Sequence, residues 1–501
     1  MPFPRAAAML VLLTAVALPS RLAAQCPNGT PPPCAGTAPP VHSVAVLTFS
    51  NVTGDSASQY LAEGLADQIF TRLAQVQRLT VISRSAVRRL RNADNLSTQD
   101  IGRALRAAYL VNGTINNAGG RLRINVEALR AGTGAAIWSE AYDRAAGDVL
   151  GLEEAIATEV AAGITGRLTP GEQRGLARHV TTNPAAYARL LRGNVMLARR
   201  TPTSLAAAAA DFAAAAAIDP AMAEAHARLA YTYALCGLQL CGLDSSLARS
   251  RTAAVRAVTV DPRSSDAWMA RGYELFLEYR SITGPSADSL STAYAAFRRA
   301  VTLDPRNAEA WHQFGASLTG VSDSAAEDAL RRALAIDPTR AISYLDLANV
   351  YATTGRTRLA LAMLDSAIAL DAGNGIYYAS KVTAEIEAGD TTAALATIHG
   401  RDLGGLEEVL LAAFAGDSAA RRHIEDRIAQ GHADEVFFLP EYYQWTGRLD
   451  DAVRVQMQRI ATRSFPWFWL RRPLYSPIRP DPRIAGYLAG VQREVSRVRW
   501  H

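Results

Sequence analysis

Lysine is all but missing from this 501-residue chain: Lys381 is the single one, and arginine fills the rest of the 52 basic positions. The replacement runs along the whole sequence, so it reads as a preference for GC-rich codons and not as an arginine-built site. Cysteine is scarce as well. Cys26, Cys34, Cys236 and Cys241 form two close pairs. No histidine stands at a ligand spacing from either, and Cys-x4-Cys alone is a weak zinc signal, so no metal site is expected. The sequence has no G-x-S-x-G elbow, no H-E-x-x-H, no phosphate loop before Lys381 and no G-x-G-x-x-G after a predicted strand. These absences lead to the expectation of a chain that is not an enzyme and carries no cofactor. The formal net charge of +5 is spread out. Its densest cluster, Arg84, Arg88, Arg89 and Arg91, reads as the wet face of a short helix, and no nucleic-acid partner is expected.

No apolar run is long enough to cross a bilayer comfortably. Ala6 to Leu18 is thirteen residues, roughly 20 Å as a helix against a hydrocarbon core of roughly 30 Å. It follows Arg5 and is closed by Pro19-Ser20-Arg21 and Leu22-Ala23-Ala24, the layout of a secretory signal (residues 1–24) cut after Ala24. The expected location is the periplasm or cell envelope. Membrane association through an uncleaved N-terminus, or a lipid on Cys26, is the alternative; Gln25 departs from the small residue a lipobox wants. In an exported chain an even cysteine count suggests disulfides. Residues 25–41 are rich in Pro, Gly and Thr and read as a linker.

Residues 42–168 carry a mixed pattern. Strands are predicted at Ser43–Phe49, Leu79–Ser83, Tyr109–Ile115, Arg121–Leu129 and Ala136–Tyr142, with turns at Gly119-Gly120 and Gly132-Thr133-Gly134. Helices are predicted at Tyr60–Val76, after Ser97-Thr98, and over Asp148–Leu168. The order β-α-β-α-β-β-β-α implies an α/β domain, a mixed sheet with packed helices. Its segments Val44–Phe49, Asp55, Asp67–Leu73, Leu110–Ile115 and Gly134–Asp143 (GAAIWSEAYD) together resemble the N-terminal-type domain of TolB-like proteins, with Thr48 where that pattern has proline. The resemblance implies an α/β docking domain followed by tetratricopeptide repeats.

Residues 183–460 repeat a punctuation mark: Ile218-Asp219-Pro220, Val260-Asp261-Pro262, Leu303-Asp304-Pro305, Ile336-Asp337-Pro338 and Leu370-Asp371-Ala372. The later intervals approach the ~34 residues of a tetratricopeptide unit. The two longer ones suggest inserted turns around Cys236–Asp244 and Ser281–Ser289. Small residues at Gly193, Gly272, Gly315 and Ala348, with large ones at Trp268, Trp311, Leu347 and Tyr351, complete the likeness to this family's all-α solenoid. Residues 400–430 are degenerate. In 461–501, Trp467, Trp469, Pro473, Pro480 and Pro482 interrupt helical periodicity and imply a C-terminal cap.

By repeat position, Tyr273, His312, Gln313, Asp346 and Asn349 line the inner surface, and Asn349 falls in a Leu-Ala-Asn-Val-Tyr stretch like the family's peptide-holding asparagine. The expected function is an envelope scaffold that binds a protein or peptide partner. The alternative is a small-ligand sensor or regulator of envelope signalling that acts through the α/β domain.

Overall fold

The computed structural model describes residues 39–500 except 55, 83, 91–95, 119–120, 146–150, 178, 240–242, 282–286, 402–404, 431–437 and 463–466. The expected export signal (residues 1–24), most of the expected linker, Cys26, Cys34, Cys241 and the expected Gly119-Gly120 turn lie outside the described residues. Cys236 is disulfide-bonded.

The chain opens with β1 (Ser43–Val46), β2 (Ser50–Asn51), α1 (Ser56–Leu73), β3 (Thr80–Ile82), α2 (Arg84–Arg89) and α3 (Thr98–Leu105). A meander follows: β4 (Tyr109–Ala118), β5 (Arg121–Arg130) and β6 (Ala136–Ala145), then α4 (Leu152–Thr165) and α5 (Pro170–Leu176). The strand order is β3-β1-β4-β5-β6, with the short β2 also on β4. β1 runs parallel to β3 and β4, while β4, β5 and β6 are antiparallel. The period of two decides the faces. Along β5, Leu122, Ile124, Val126 and Ala128 are buried while Arg121, Arg123 and Asn125 are exposed. Val44 and Val46 join the core under α1 and α4, whereas Ala45 between them joins the core under α2 and α3. Ser97 caps α3, its side chain accepting from the Asp100 amide.

Helix pairs then follow: α6 (Pro184–Arg199) with α7 (Pro202–Ile218), α8 (Ala223–Gln239) with α9 (Leu243–Val260), and α10 (Ser265–Ser281) with α11 (Ala287–Leu303). Next come α12 (Ala308–Leu318) with α13 (Asp323–Ile336), and α14 (Ala341–Thr353) with α15 (Thr357–Leu370). The array continues as α16 (Gly375–Glu387) with α17 (Thr391–Ile398), α18 (Leu406–Phe414) with α19 (Ser418–Ala429), and α20 (Leu439–Trp445) with α21 (Leu449–Ala461). This is a tetratricopeptide-like solenoid, and residues 400–430 keep the pairing despite their degenerate sequence.

The repeated Asp-Pro mark has a plain chemistry. Asp219, Asp261, Asp304 and Asp337 end the second helix of a pair, and each accepts the amide two residues on, at 2.9 to 3.1 Å. The fourth residue of the next helix then closes the turn from above. Trp268 Nε1 donates to the Pro262 carbonyl and Trp311 Nε1 to that of Pro305, both at 2.9 Å, and Tyr344 OH donates to Pro338 at 3.0 Å. The glycines allow each pair to close up: a Cβ at Gly193 would stand 2.5 Å from the Phe212 ring, and Gly272 meets Phe297 in the same way. The long intervals are not inserted turns alone. α8 to α11 run 17, 18, 17 and 17 residues against 11 for α12 and 14 for α13, so extra helical turns absorb much of the surplus.

The two regions share one core. α1 lies on α6 so closely that a Cβ at Gly64 would sit 2.9 Å from the Leu191 Cβ. Arg72 of α1 pairs with Glu153 of α4 at 2.9 Å, with side-chain exposures of 8% and 1%. Farther along, Arg306 in the α11–α12 turn donates to the carbonyls of Val76 and Leu79, at 3.2 and 3.4 Å.

The C-terminal residues turn back along the solenoid. 3-10 turns at Trp467–Arg471 and Pro473–Tyr475 precede α22 (Pro482–Val495). Trp467 and Phe468 pack on Gly320, Arg471 pairs with Asp323 at 2.7 Å, and Arg472 pairs with Glu387. The Arg499 amide reaches the Ser291 hydroxyl at 2.9 Å. Pro482 does not break helical order as its sequence context suggested. It stands at the first turn of α22 behind the Asp481 cap, where a missing N–H costs nothing. Among the described residues no helix is long and apolar enough to cross a membrane.

Candidate functional site

The first helices of successive pairs turn their polar residues toward each other. Tyr231, Tyr273 and Asn349 each occupy the ninth position of α8, α10 and α14, and Glu309 is the second residue of α12. The superhelix is wound tightly enough that α8 and α12, on either side of α10, bond directly. Tyr231 OH donates to Glu309 Oε1 at 2.6 Å. Gln313 Nε2 donates to the Tyr231 oxygen at 3.0 Å and to Glu309 Oε1 at 2.9 Å. Arg340, ahead of α14, ion-pairs with Glu309. Arg200, after α6, donates to the Tyr231 oxygen at 3.3 Å and lies 5.4 Å from its ring centre. The Tyr273 ring meets that of Tyr231 with centroids 5.4 Å apart.

A second limb extends to α14. His312 Nδ1 is 3.0 Å from Ser343 Oγ, and its Nε2 is 3.6 Å from Asp346 Oδ2. The Asn349 side chain hydrogen-bonds Asp346. Burial works on every group here. It would raise Glu309, but Arg340 and Arg200 outweigh it and hold that carboxyl well below the usual range. Burial lifts the Tyr231 phenol to about 12. Burial and then the Arg340 charge push His312 down to about 3. Burial raises Asp346 to about 7, against the opposing Asn349 hydrogen bond and Arg340 charge.

All five residues expected on the inner surface are brought to this network, but in two different settings. His312 and Gln313 are 4% and 7% exposed, and Tyr273 is buried. Asp346 keeps 23% of its side chain exposed, and Asn349 is half-buried. Sequence reasoning missed Arg200, Tyr231, Glu309 and Arg340. Tyr231 shares the repeat position of Tyr273, and Glu309 that of Asp266, so an alignment of first helices carries the signal.

Ser343, His312 and Asp346 have the composition of a nucleophilic triad, yet the arrangement cannot act as one. Ser343 is fully buried, and an imidazole that protonates only near pH 3 is a poor base at neutral pH. Among the described residues, no group of three or more His, Cys, Asp or Glu side chains could hold a metal ion.

The two shifted groups make opposite contributions to pH dependence. Folded Asp346 keeps its proton up to about pH 7, whereas an unfolded aspartate releases it near ~3.9, so acidification from 7 to 4 favours the folded state through this group. Folded His312 stays neutral down to about pH 3, whereas an unfolded histidine protonates near ~6.5. Stability through His312 therefore falls as the pH drops through that window. Asp346→Asn removes the first contribution and leaves the second. In urea unfolding at pH 8 and pH 4.5, the wild type should gain on the variant by about 2–4 kcal/mol at the lower pH. Parallel profiles would show that Asp346 ionises normally in the fold.

Comparison with known proteins gives the following. No protein-family profile matches the chain. A protein of Rhizobium meliloti (strain 1021), named "Putative adenylate cyclase 3", is 30% identical over 199 residues, 40% of this chain and 33% of that protein. The match thus spans about a third of the curated relative. Among solved structures, TTC0263, a thermophilic TPR protein of Thermus thermophilus, is 23% identical over 40% of this chain and all of its own, with a TM-score of 0.36. YrrB, a TPR protein with an unusual peptide-binding site, is 21% identical over 39% of this chain and 91% of its own, at 0.26.

The expectation that the chain is not an enzyme is corrected by the Rhizobium meliloti relative, whose name is that of a cyclase. The expectation rested on missing local signatures. Those signatures are local in sequence, whereas catalytic groups come together in space from distant positions.

Proposed function

We propose that this chain is an exported scaffold of the cell envelope. In this reading the tetratricopeptide-like helices hold a protein or peptide partner, and a TolB-like α/β domain docks a second one. The observation that carries the reading is the half-open end of the inner network. There Asp346 orients the Asn349 amide, which retains donor and acceptor capacity for a partner's backbone. Tyr273, His312 and Gln313 sit behind it and set the spacing of α10, α12 and α14. The signal-like residues 1–24 support the location.

The test is affinity capture from envelope extract with the full chain against Asn349→Ala. A partner held by the wild type and lost by the variant supports recognition at α14, while equal recovery moves it elsewhere. Mass spectrometry of the bait expressed in a bacterial host checks export: an N-terminus at Gln25 supports it, and retained residues 1–24 refute cleavage.

A second reading is cyclic-nucleotide synthesis, which the name of the Rhizobium meliloti relative alone favours. The purified chain incubated with ATP and a divalent cation decides it: cyclic AMP formed in proportion to protein supports it, and no product rejects it.

A further inference from the structure

One position recurs along the first helices, five residues after the aspartate of each turn: Glu224 in α8, Asp266 in α10, Glu309 in α12, Ile342 in α14 and Ile376 in α16. It is the second residue of every one of these helices. Where it is acidic, an arginine answers it. Arg228 reaches Glu224 at 3.8 Å and Asp266 at 3.2 Å, and Arg340 pairs with Glu309. Those three repeats therefore satisfy their own inner carboxylates. From α14 onward the position changes character: Ile342 and Ile376 are 37% and 60% exposed where their predecessors are salt-bridged.

Asp346 stands one helical turn after Ile342, on the same face of α14. α14 and α16 touch directly. The Asp346 carboxylate lies near enough to Tyr377, the neighbour of Ile376, to act on its phenol. Burial and then the charge of Asp371 lift Tyr377 to about 12, and Asp346 adds to the effect. The two isoleucines and Asp346 thus share the seam between these helices. Among the described residues no guanidinium or ammonium closes on the Asp346 carboxylate. His312, 3.6 Å away, is neutral above about pH 3. Arg340 is held by Glu309, and Lys381 by Asp365 and Glu385 at 2.7 and 3.8 Å. Asp371 likewise has no ion pair among the described residues, so the seam carries negative charge beside exposed aliphatic surface.

We infer that the segment held here carries a basic side chain and, two residues from it, an aliphatic one, the cation on Asp346 and the aliphatic group against Ile342 and Ile376. The inference rests on the reading that this face holds a peptide, and it gives that peptide a composition. Alternate side chains of an extended segment lie on one side, roughly 6.5–7 Å apart. That is close to the roughly 5–6 Å between side chains one turn apart on a helix, as Ile342 and Asp346 are. Asn349, three residues beyond Asp346, is left for the segment's backbone. The upward shift of Asp346 to about 7 agrees with a carboxylate short of counter-charge, which a partner's cation supplies.

The experiment is fluorescence anisotropy with the full chain at pH 8, where Asp346 is ionised, and capped peptides bearing a neutral dye. The probe is Gly-Leu-Ser-Arg-Ser-Gly; one comparison peptide has glutamate for the arginine, the other serine for the leucine. The probe should bind saturably and about tenfold more tightly than either comparison peptide. Asp346→Asn should erase the preference for arginine over glutamate, and Ile376→Ser the preference for leucine over serine, with both variants folded by circular dichroism. Equal binding of the three peptides overturns the inference. So does a preference for arginine that survives Asp346→Asn, or the absence of saturable binding by the probe. Capture of an envelope partner through Asn349 is read separately, so the peptide reading can stand where this composition fails.

Discussion

Glu153→Ala should cost about 3–5 kcal/mol in the first unfolding transition, because it leaves Arg72 buried without its charge partner. The pair is 2.9 Å apart, and the arginine has little water to turn to at 8% exposure. What remains to it is a hydrogen bond to the Leu176 carbonyl. The setting gives the loss its reach. Arg72 is on α1, Glu153 on α4, and the buried Tyr187 on α6 packs beside them. Burial and then the Glu153 carboxylate hold the Tyr187 phenol well above its usual range. The substitution thus strikes the seam between sheet and solenoid, and both should loosen together in urea. Replacing both partners, Arg72→Met with Glu153→Leu, should cost far less, since no lone charge remains. A loss under about 1 kcal/mol for Glu153→Ala would mean that water reaches the arginine.

Glu387→Ala is the second large effect, again about 3–5 kcal/mol and by the same physics. Arg472 Nε and Nη2 grip the two Glu387 oxygens at 2.8 and 3.0 Å, and the side chains are 5% and 0% exposed. The damage should fall on the C-terminal residues that this pair fastens to α16. Limited proteolysis should cut between 467 and 500 in the variant while the wild type resists. Arg483→Ala offers the contrast. Its partner Asp450 is fully exposed, Asp481 is partly so, half the arginine side chain is in water, and its loss should leave the unfolding midpoint close to that of the wild type. Proteolysis equal to that of wild type after Glu387→Ala would show that the aromatic contacts at Gly320 suffice to hold the segment.

Much of the architecture is legible in the sequence because it is written locally. An aspartate before proline signals its own turn, since the carboxylate needs only the amide two residues on. Strand alternation at Leu122, Ile124 and Val126 is equally local. The closure of the inner face is not. Tyr231 and Glu309 are 78 positions apart, and they meet only because small rotations between successive pairs add up to a tight superhelix. No window of sequence contains that sum. His312 was therefore legible as an inner residue but not as one sealed behind Gln313 and Ser343. α22 is a different case: Asp481-Pro482 is a good start signal, and the surrounding prolines obscured it.

The return of the C-terminus has a consequence for how the protein is made. Repeat arrays usually assemble from neighbours, each unit docking as soon as the next exists. Here the Ser291 hydroxyl receives the Arg499 amide from 208 positions downstream, and the carbonyl of Val76 receives Arg306 from 230 downstream. A growing chain must hold its early pairs without the first of these contacts until residue 499 exists, and without the second until residue 306 does. Maturation should end in a slow, cooperative locking step set by loop closure over those spans, so this solenoid behaves in folding less like a line of units than like a ring.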